Sequence, residues 1–187
     1  MDAGGRRSNR GKQWTLRPQD LVVALKLVSL ESDRPPYASL GEELHLSAFE
    51  AHAAARRLVA ARLASEDPDE GIRIQKGALI LFVLYGAPYA FPPVRTGITI
   101  GFPTAYGVAP LNEMMLFPDQ ISVPVWPHPE GDVRGQGLLP LYQKLPLAAR
   151  ADPVLYELLA LFDALRIGQA RERELAERHL RRLIKKQ

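Results

Sequence analysis

The sequence of 187 residues contains no cysteine. This absence excludes disulfide frameworks, thiolate zinc sites, iron–sulfur clusters and cysteine nucleophiles together, and it fits a reducing cytoplasm. The excess of positive charge is also small, because 24 Lys and Arg residues against 21 Asp and Glu residues leave a net charge of only +3. Any basic footprint for a nucleic acid must therefore come from the local placement of cations.

Long uninterrupted apolar runs are missing as well. The uncharged stretch 77–94 approaches the length of a membrane span, but Gly86, Pro88, Pro92 and Pro93 interrupt it. We interpret it as a short buried helix that leads into an extended segment. The first dozen residues are basic and polar, without the apolar core of an export signal. We expect a cytoplasmic protein that does not bind membranes.

Composition divides the chain into four parts. A flexible basic tail is expected over residues 1–15, a helical unit with a hairpin over 16–87, a Pro- and aromatic-rich segment packed on the core over 88–150, and C-terminal helices over 151–187. Eleven of the 16 prolines lie in 88–150, which leaves no room there for a long helix. Alternating apolar residues predict short strands at 97–101 and 121–125. The expected fold class is mainly α, of the α+β type.

The C-terminal part has clear helix signals. Asp152 is a suitable N-cap, Pro153 takes the favoured first helical position, and Gly168 ends the helix. A second helix is predicted from Ala170 to Lys186. An apolar stripe on the first of these helices is expected to form the seam of a homodimer, with packing inside the same chain as the alternative. The stripe consists of Leu155, Leu158, Leu159, Phe162 and Leu165.

The most informative part of the chain is residues 16–75. Pro18 opens a predicted core helix, and residues 37–58 indicate two short helices joined by a tight turn. Leu40 and Leu44 are four residues apart on the first of the two, and Leu46 fills the turn. Ala51 is small at the point where two crossing helices approach each other.

Two capping boxes are predicted around this turn. Ser39 is followed three residues later by Glu42, and Ser47 in the same way by Glu50. In such a box the hydroxyl caps the third helical N–H, while the glutamate reaches back to the N-cap N–H. The two boxes favour one helix start on each side of the turn.

This pattern resembles the winged helix-turn-helix regulators of bacteria over Pro18 to Gln75, about a third of the chain. The shared features are the leucine of the supporting helix, the Leu-x-Leu-Ser turn, and the small residue inside the recognition helix. His45 stands where that family usually has glycine, and Arg62 where glycine commonly follows the recognition helix. Histidine is among the non-glycine residues enriched at positive φ. A wing of two strands, 63–65 and 72–75, would enclose an acidic tip.

The resemblance implies a homodimeric transcription regulator that binds double-stranded DNA. Phe49 would contact a thymine methyl group, His52 or Glu50 would hydrogen-bond base edges, and Arg56 and Arg57 would contact phosphates. Phosphate partners are also expected beside the wing, and the basic tail would reach an adjacent groove. The candidate DNA-binding residues are Ser47, Ala48, Phe49, Glu50, His52, Ala53, Arg56, Arg57, Arg73 and Lys76.

Other interpretations stay open. A helix-turn-helix unit also serves as a structural or protein-docking module, so an antitoxin-like or adaptor protein that restrains a partner enzyme is the first alternative. The second is a hydrolase centred on His128, which lies beside Glu130 and Asp132; the other reading of these residues is an ordinary turn. No two histidines have metal-ligand spacing on a helix, and we expect no catalytic residues, metal or cofactor.

Overall fold

The computed structural model describes residues 14–30, 34–67, 71–114 and 123–186 of the chain. Within these residues the protein has an α+β fold with nine α-helices and two small sheets. The elements are α1 (Pro18–Ser29), α2 (Tyr37–Glu43), α3 (Ala48–Ala60), β1 (Ala64–Asp67), β2 (Gly71–Ile74), α4 (Lys76–Tyr85), α5 (Ala87–Ala90), β3 (Arg95–Pro103), α6 (Leu111–Met114), β4 (Pro124–Pro127), β5 (Val133–Leu138), α7 (Leu145–Ala151), α8 (Pro153–Ile167) and α9 (Ala170–Lys186). A short 3-10 turn, Ala105–Gly107, follows β3.

Helices α1 and α8 form the centre of the core. Every residue from Leu21 to Val28 in α1 is buried, as is every residue from Leu158 to Leu165 in α8. A helix that is apolar on all sides must be covered on all sides, and α1 packs against both α3 and α8. One cluster of apolar side chains consequently extends from the N-terminal helices to α9.

A buried lysine joins α1 to its neighbours. The Lys26 Nζ lies 2.6 Å from a Glu43 carboxylate oxygen in α2 and 2.8 Å from Asp152 Oδ2 at the start of α8. Burial alone would raise the pKa of Asp152, but hydrogen bonds from the Leu155 N–H, Lys26 and Ser29 outweigh it and lower that pKa. The cluster holds α2 and α8 against the same helix.

Strands β3, β4 and β5 form a small closed barrel. β3 is antiparallel to both of its neighbours, whereas β4 and β5 are parallel. The backbones of neighbouring strands approach each other closely at two glycines. A Cβ at Gly101 would lie 2.0 Å from the Trp126 carbonyl oxygen, and a Cβ at Gly135 would lie 2.1 Å from the Val123 carbonyl oxygen. The barrel therefore closes only with glycine at these two positions.

A buried aspartate attaches the barrel to α8. The Thr104 hydroxyl and the Trp126 indole N–H each donate to Asp163 Oδ2 at 2.7 Å. Arg166 donates to the other carboxylate oxygen and, at 3.2 Å, to the Phe91 carbonyl oxygen. All four polar side chains of this network are buried, and each has a hydrogen-bond partner.

The C-terminal helix boundaries are confirmed, but the expected dimer seam is wrong. Asp152 caps α8, Pro153 is its first residue and Gly168 follows its end. The stripe side chains are at most 8% exposed within a single chain. Because α1 and α9 cover α8, the stripe is intrachain core and leaves no surface for a second copy. The stripe residues are Leu155, Leu158, Leu159, Phe162 and Leu165.

Two further expectations are changed by the structure. Helix α2 begins at Tyr37, so Ser39 lies inside its first turn and is not the N-cap. The strand expected at 121–125 is β4, which begins at Pro124; residues 121–122 lie outside the described residues. Among the described residues, no helix combines the length and apolar character of a membrane span.

Candidate nucleic-acid interface

The turn between α2 and α3 is tightly built. A Cβ at Gly41 would lie 2.8 Å from the Leu46 carbonyl oxygen, so glycine permits the chain to fold back there. The Leu46 N–H donates to the Gly41 carbonyl oxygen at 2.8 Å, and His45 takes a positive φ of 53°. The Tyr142 hydroxyl holds the turn from outside by donating to the Leu44 carbonyl oxygen at 2.8 Å. The left-handed residue expected at His45 is confirmed.

Helix α3 begins with the predicted capping box. The Glu50 N–H donates to Ser47 Oγ at 3.2 Å, and the Ser47 N–H donates to Glu50 Oε2 at 2.8 Å. Two hydrogen bonds from Ser47 lower the pKa of Glu50. The one from the Ser47 hydroxyl has the larger effect, and the one from its backbone N–H has the smaller. One oxygen of this carboxylate is thus engaged in the cap, and the group stays ionised at the exposed end of α3.

Arg57 lies differently from the expectation. Its guanidinium faces inward and donates from Nε and Nη2 to the two carboxylate oxygens of Asp20 in α1, at 2.7 and 2.6 Å. The two side chains are only 12% and 0% exposed. These hydrogen bonds raise the pKa of Arg57. Arg57 therefore fixes α3 on α1 and is not on the surface that a phosphate would reach.

The exposed face of α3 carries the other expected contacts. Phe49 is 79% exposed, so its ring is accessible at the surface of this helix. Ala48 and His52 are exposed beside it, and Ala53 is half-buried. The His52 ring lies edge-on against Tyr37 of α2, with 5.0 Å between ring centroids. This contact orients the imidazole at the outer surface of the helix pair.

The expected cations other than Arg57 lie on three different elements. Arg56 lies toward the C-terminal end of α3 and donates to a Glu66 carboxylate oxygen of β1 at 2.9 Å, with both side chains about half-exposed. Arg73 on β2 and Lys76 at the start of α4 are exposed. The structure thus keeps three of the four expected cations at the surface.

Arg17 is a fourth surface cation, which the sequence interpretation missed. It is exposed and precedes α1, where its N–H donates to Asp20 Oδ2 at 2.8 Å. The positive charge of Arg17 also lowers the pKa of Glu50, though by less than the hydrogen bonds from Ser47 do. Arg17 therefore lies near the start of α3. The only signal in the sequence is its position next to Pro18, which does not reveal what α1 packs against.

The hairpin after α3 is antiparallel, with Ala64 paired to Ile74 and Asp67 paired to Gly71. Arg62, which precedes it, has a φ of 60°. The connection 68–70 lies outside the described residues. The described end of the hairpin carries the carboxylates of Glu66 and Asp67, so negative charge lies beside the cations of the interface.

His128, on which the alternative hydrolase function was centred, lies away from this interface at the start of the turn between β4 and β5. The His128 ring stacks on Phe102 with 4.9 Å between centroids, and its Nδ1 accepts the Glu130 N–H at 3.2 Å. Within the part of the chain that the structure describes, no group of three or more His, Asp or Glu side chains has a metal-binding arrangement.

Comparison with known proteins yields no relative: no family model matches the chain, and no curated protein or solved structure matches it.

Proposed function

We propose that the protein is a winged helix-turn-helix regulator of transcription that binds duplex DNA, with α3 in the major groove and the β1–β2 hairpin as the wing. The observation that carries this proposal is the exposed face of α3, which presents Phe49 and His52 together with Arg56, while Arg17, Arg73 and Lys76 are exposed on other segments of residues 16–87. An α-helix fits the major groove, and a recognition helix reads base edges with its N-terminal residues.

The rigid attachment of α3 supports the same role. Arg57 and Asp20 fix the helix on α1, while the Ser47 capping box fixes its first turn. A recognition helix held in this way loses little conformational freedom when it binds, so less of the binding free energy is spent on ordering it.

The surface side chains have separate tasks in this proposal. Arg17, Arg56, Arg73 and Lys76 contact phosphates and position the protein without reading sequence. Phe49 contacts a thymine methyl group and His52 hydrogen-bonds a base edge. Ser47 and Glu50 serve the helix start, and Ala48 and Ala53 permit close approach to the groove.

Fluorescence anisotropy with a duplex from the protein's own promoter tests the proposal. Each phosphate neutralised contributes a slope of about −0.9 to log K against log salt, so four cations predict a slope of about −3 to −4 for each recognition unit. Affinity that cannot be detected at about 50 mM salt, with folded protein, would contradict the proposal.

Two variants separate the tasks. Arg56→Ala should weaken binding to promoter and scrambled DNA alike and reduce the salt slope by about 1, whereas His52→Ala should lose affinity for the promoter duplex alone. Arg178→Ala is the matched control, because Arg178 is an exposed cation on α9 in an ion pair with Glu174. If His52→Ala lost affinity equally for the promoter duplex and for scrambled DNA, the result would contradict a role of His52 in base recognition.

A homodimer remains a prediction of this proposal, since inverted half-sites about one helical turn apart require a two-fold axis. Its interface must lie outside the buried α8 stripe. Analytical ultracentrifugation with and without the promoter duplex measures the stoichiometry, and one chain per operator at saturation would contradict the dimer.

The antitoxin-like or adaptor function is favoured by one other observation. Leu81, Tyr85 and Tyr89 are exposed large apolar side chains on α4 and α5, and Tyr89 is 82% exposed. Aromatic side chains, tyrosine among them, are enriched at protein interfaces. Co-expression with the product of a neighbouring gene, followed by size-exclusion chromatography, tests it: a complex abolished by Tyr89→Asp would support the adaptor function.

A further inference from the structure

A cavity of about 440 Å³ lies beside the strand barrel. One part of its wall is apolar and is formed by β3 and residues 107–109. The other part consists of five polar side chains from α6, α7, α8 and the turn between β4 and β5. These are Asn112, Glu130, Asp132, Arg150 and Tyr156. The volume is in the range of small-molecule sites, which typically combine an apolar wall with a few convergent polar groups.

Arg150 supplies the positive charge of this cavity. It lies in the last turn of α7, and its Cζ is 4.4 Å from the centroid of the buried Phe102 ring. The aromatic face holds the guanidinium by a cation–π contact. Among the described residues Arg150 has no carboxylate partner, so its hydrogen-bond donors face the cavity without an ion pair.

Two carboxylates supply negative charge on the same cavity. Glu130 and Asp132 lie in the turn between β4 and β5, and both are exposed. Neither carboxylate has an ion pair or a side-chain hydrogen bond to the described residues. Glu130 and Asp132 therefore face the same space as Arg150 without being neutralised by it.

The Tyr156 hydroxyl lies where these opposite charges meet. It donates to the Pro103 carbonyl oxygen at 2.6 Å. Burial and, to a smaller extent, the charge of Asp132 raise the pKa of Tyr156 to about 12, against a lowering by Arg150. Charges of both signs thus act on one hydroxyl from within a single cavity.

We propose that this cavity binds a zwitterionic α-amino acid with an apolar side chain. The ligand carboxylate pairs with Arg150, whose planar guanidinium suits bidentate binding of a carboxylate. The ligand ammonium group pairs with Asp132 and Glu130, and the side chain packs on the apolar wall. A ligand with a single charge would pair with only Arg150 or only the two carboxylates. The unpaired protein groups would then lose water to the ligand without gaining a partner, which costs free energy.

The proposal does not depend on DNA binding, because no residue of the cavity belongs to the segment from α1 to β2. Isothermal titration calorimetry with L-phenylalanine tests it directly. Two analogues are matched probes: 3-phenylpropionate lacks the ammonium group, and 2-phenylethylamine lacks the carboxylate. We expect L-phenylalanine to bind at least about tenfold more tightly than either analogue. Trp126, whose ring lies 5.4 Å from that of Tyr156, provides an independent fluorescence signal.

Variants then locate the site. Arg150→Gln and Asp132→Asn each remove one charge from an exposed side chain, and each should weaken L-phenylalanine binding at least about tenfold. Arg178→Gln, an exposed cation outside the cavity, should leave binding unchanged. Absence of heat up to about 10 mM L-phenylalanine, equal binding of an analogue, or undiminished binding by both cavity variants would overturn the proposal.

Discussion

The N-terminal unit from α1 to β2 and the barrel of β3 to β5 are each attached to the core through a buried aspartate, but in different ways. In the first region Asp20 pairs with one arginine, Arg57, and the buried apolar side chains of α1, α2 and α3 belong to the main core cluster. In the second region Asp163 holds Thr104 and Trp126, which lie in or next to separate strands. The N-terminal unit therefore rests mainly on apolar packing, whereas polar contacts have a larger share in attaching the barrel: besides the hydrogen bonds to Asp163, the Tyr156 hydroxyl of α8 donates to the Pro103 carbonyl oxygen of β3.

This difference matters for function. In the proposed function the N-terminal unit presents a recognition surface that must keep its shape, and the ion pair of Arg57 with Asp20 holds α3 from the inside. The barrel lines a cavity whose polar side chains come from α6, α7, α8 and the turn after β4. A site assembled from so many segments is sensitive to small shifts between them.

The largest effect is expected from Asp163→Ala. The substitution leaves the Arg166 guanidinium buried without its carboxylate and removes the acceptor of Thr104 and Trp126, so unfolding free energy should fall by about 3–5 kcal/mol. Urea denaturation followed by circular dichroism measures it, with Glu174→Ala as the exposed control. A loss below about 1 kcal/mol would show that the other contacts of the barrel hold it in place without Asp163.

A smaller loss is expected from Arg57→Ala, because Asp20 keeps the hydrogen bond from the Arg17 N–H. We expect about 2–4 kcal/mol, since a buried carboxylate is left without its cation. The adjacent Arg56→Ala removes an exposed ion pair and should cost about 0–1 kcal/mol. Equal costs for these neighbouring arginines would contradict the inward placement of Arg57.

The Lys26 cluster, which joins the N-terminal unit to α8, should make stability depend on pH. The pKa of Asp152 is lowered in the folded protein, so its contribution is present above the unfolded value of about 3.9 and is lost as pH falls through the folded value. Asp152→Asn keeps a capping side chain but not the charge. The loss of stability in this variant should be about 1–2 kcal/mol at pH 7 and shrink in acid. A difference that stays constant with pH would refute this role of Asp152.

The smallest effect concerns two serines that the sequence presents alike. Ser47→Ala removes the α3 cap and should cost about 1 kcal/mol, whereas Ser39→Ala, inside α2, should cost less than about 0.5 kcal/mol. Thermal unfolding of both variants distinguishes them. The reverse order would place the functional cap at Ser39.

Local signals predicted much of this fold. The periodicity and caps of α1, α3, α8 and α9 depend on residues a few positions apart, and the turn at His45 depends on its own backbone conformation. Periodicity also located the apolar stripe of α8. It did not reveal what covers the stripe, because the covering helix α1 is more than 120 residues away in the chain.

The candidate site was predictable only in part for the same reason. Arg56 and Arg57 are adjacent cations, and which of them faces inward depends on Asp20, 37 residues from Arg57. The parallel pairing of β4 with β5 depends on close approach at glycines within the strands. The sequence does not indicate this role of the glycines, since spacing alone does not show which backbones meet.

The most direct test of the central claim is an amide NMR titration of the protein with its promoter duplex. If the exposed face of α3 binds DNA, the largest shift changes should fall on Ala48 to Ala53 and on Arg73 to Lys76, with Arg17 next. The exposed surface of α4 and α5 around Tyr89 should change little. Shift changes concentrated around Tyr89, or no change at concentrations where the duplex is saturated, would contradict the account.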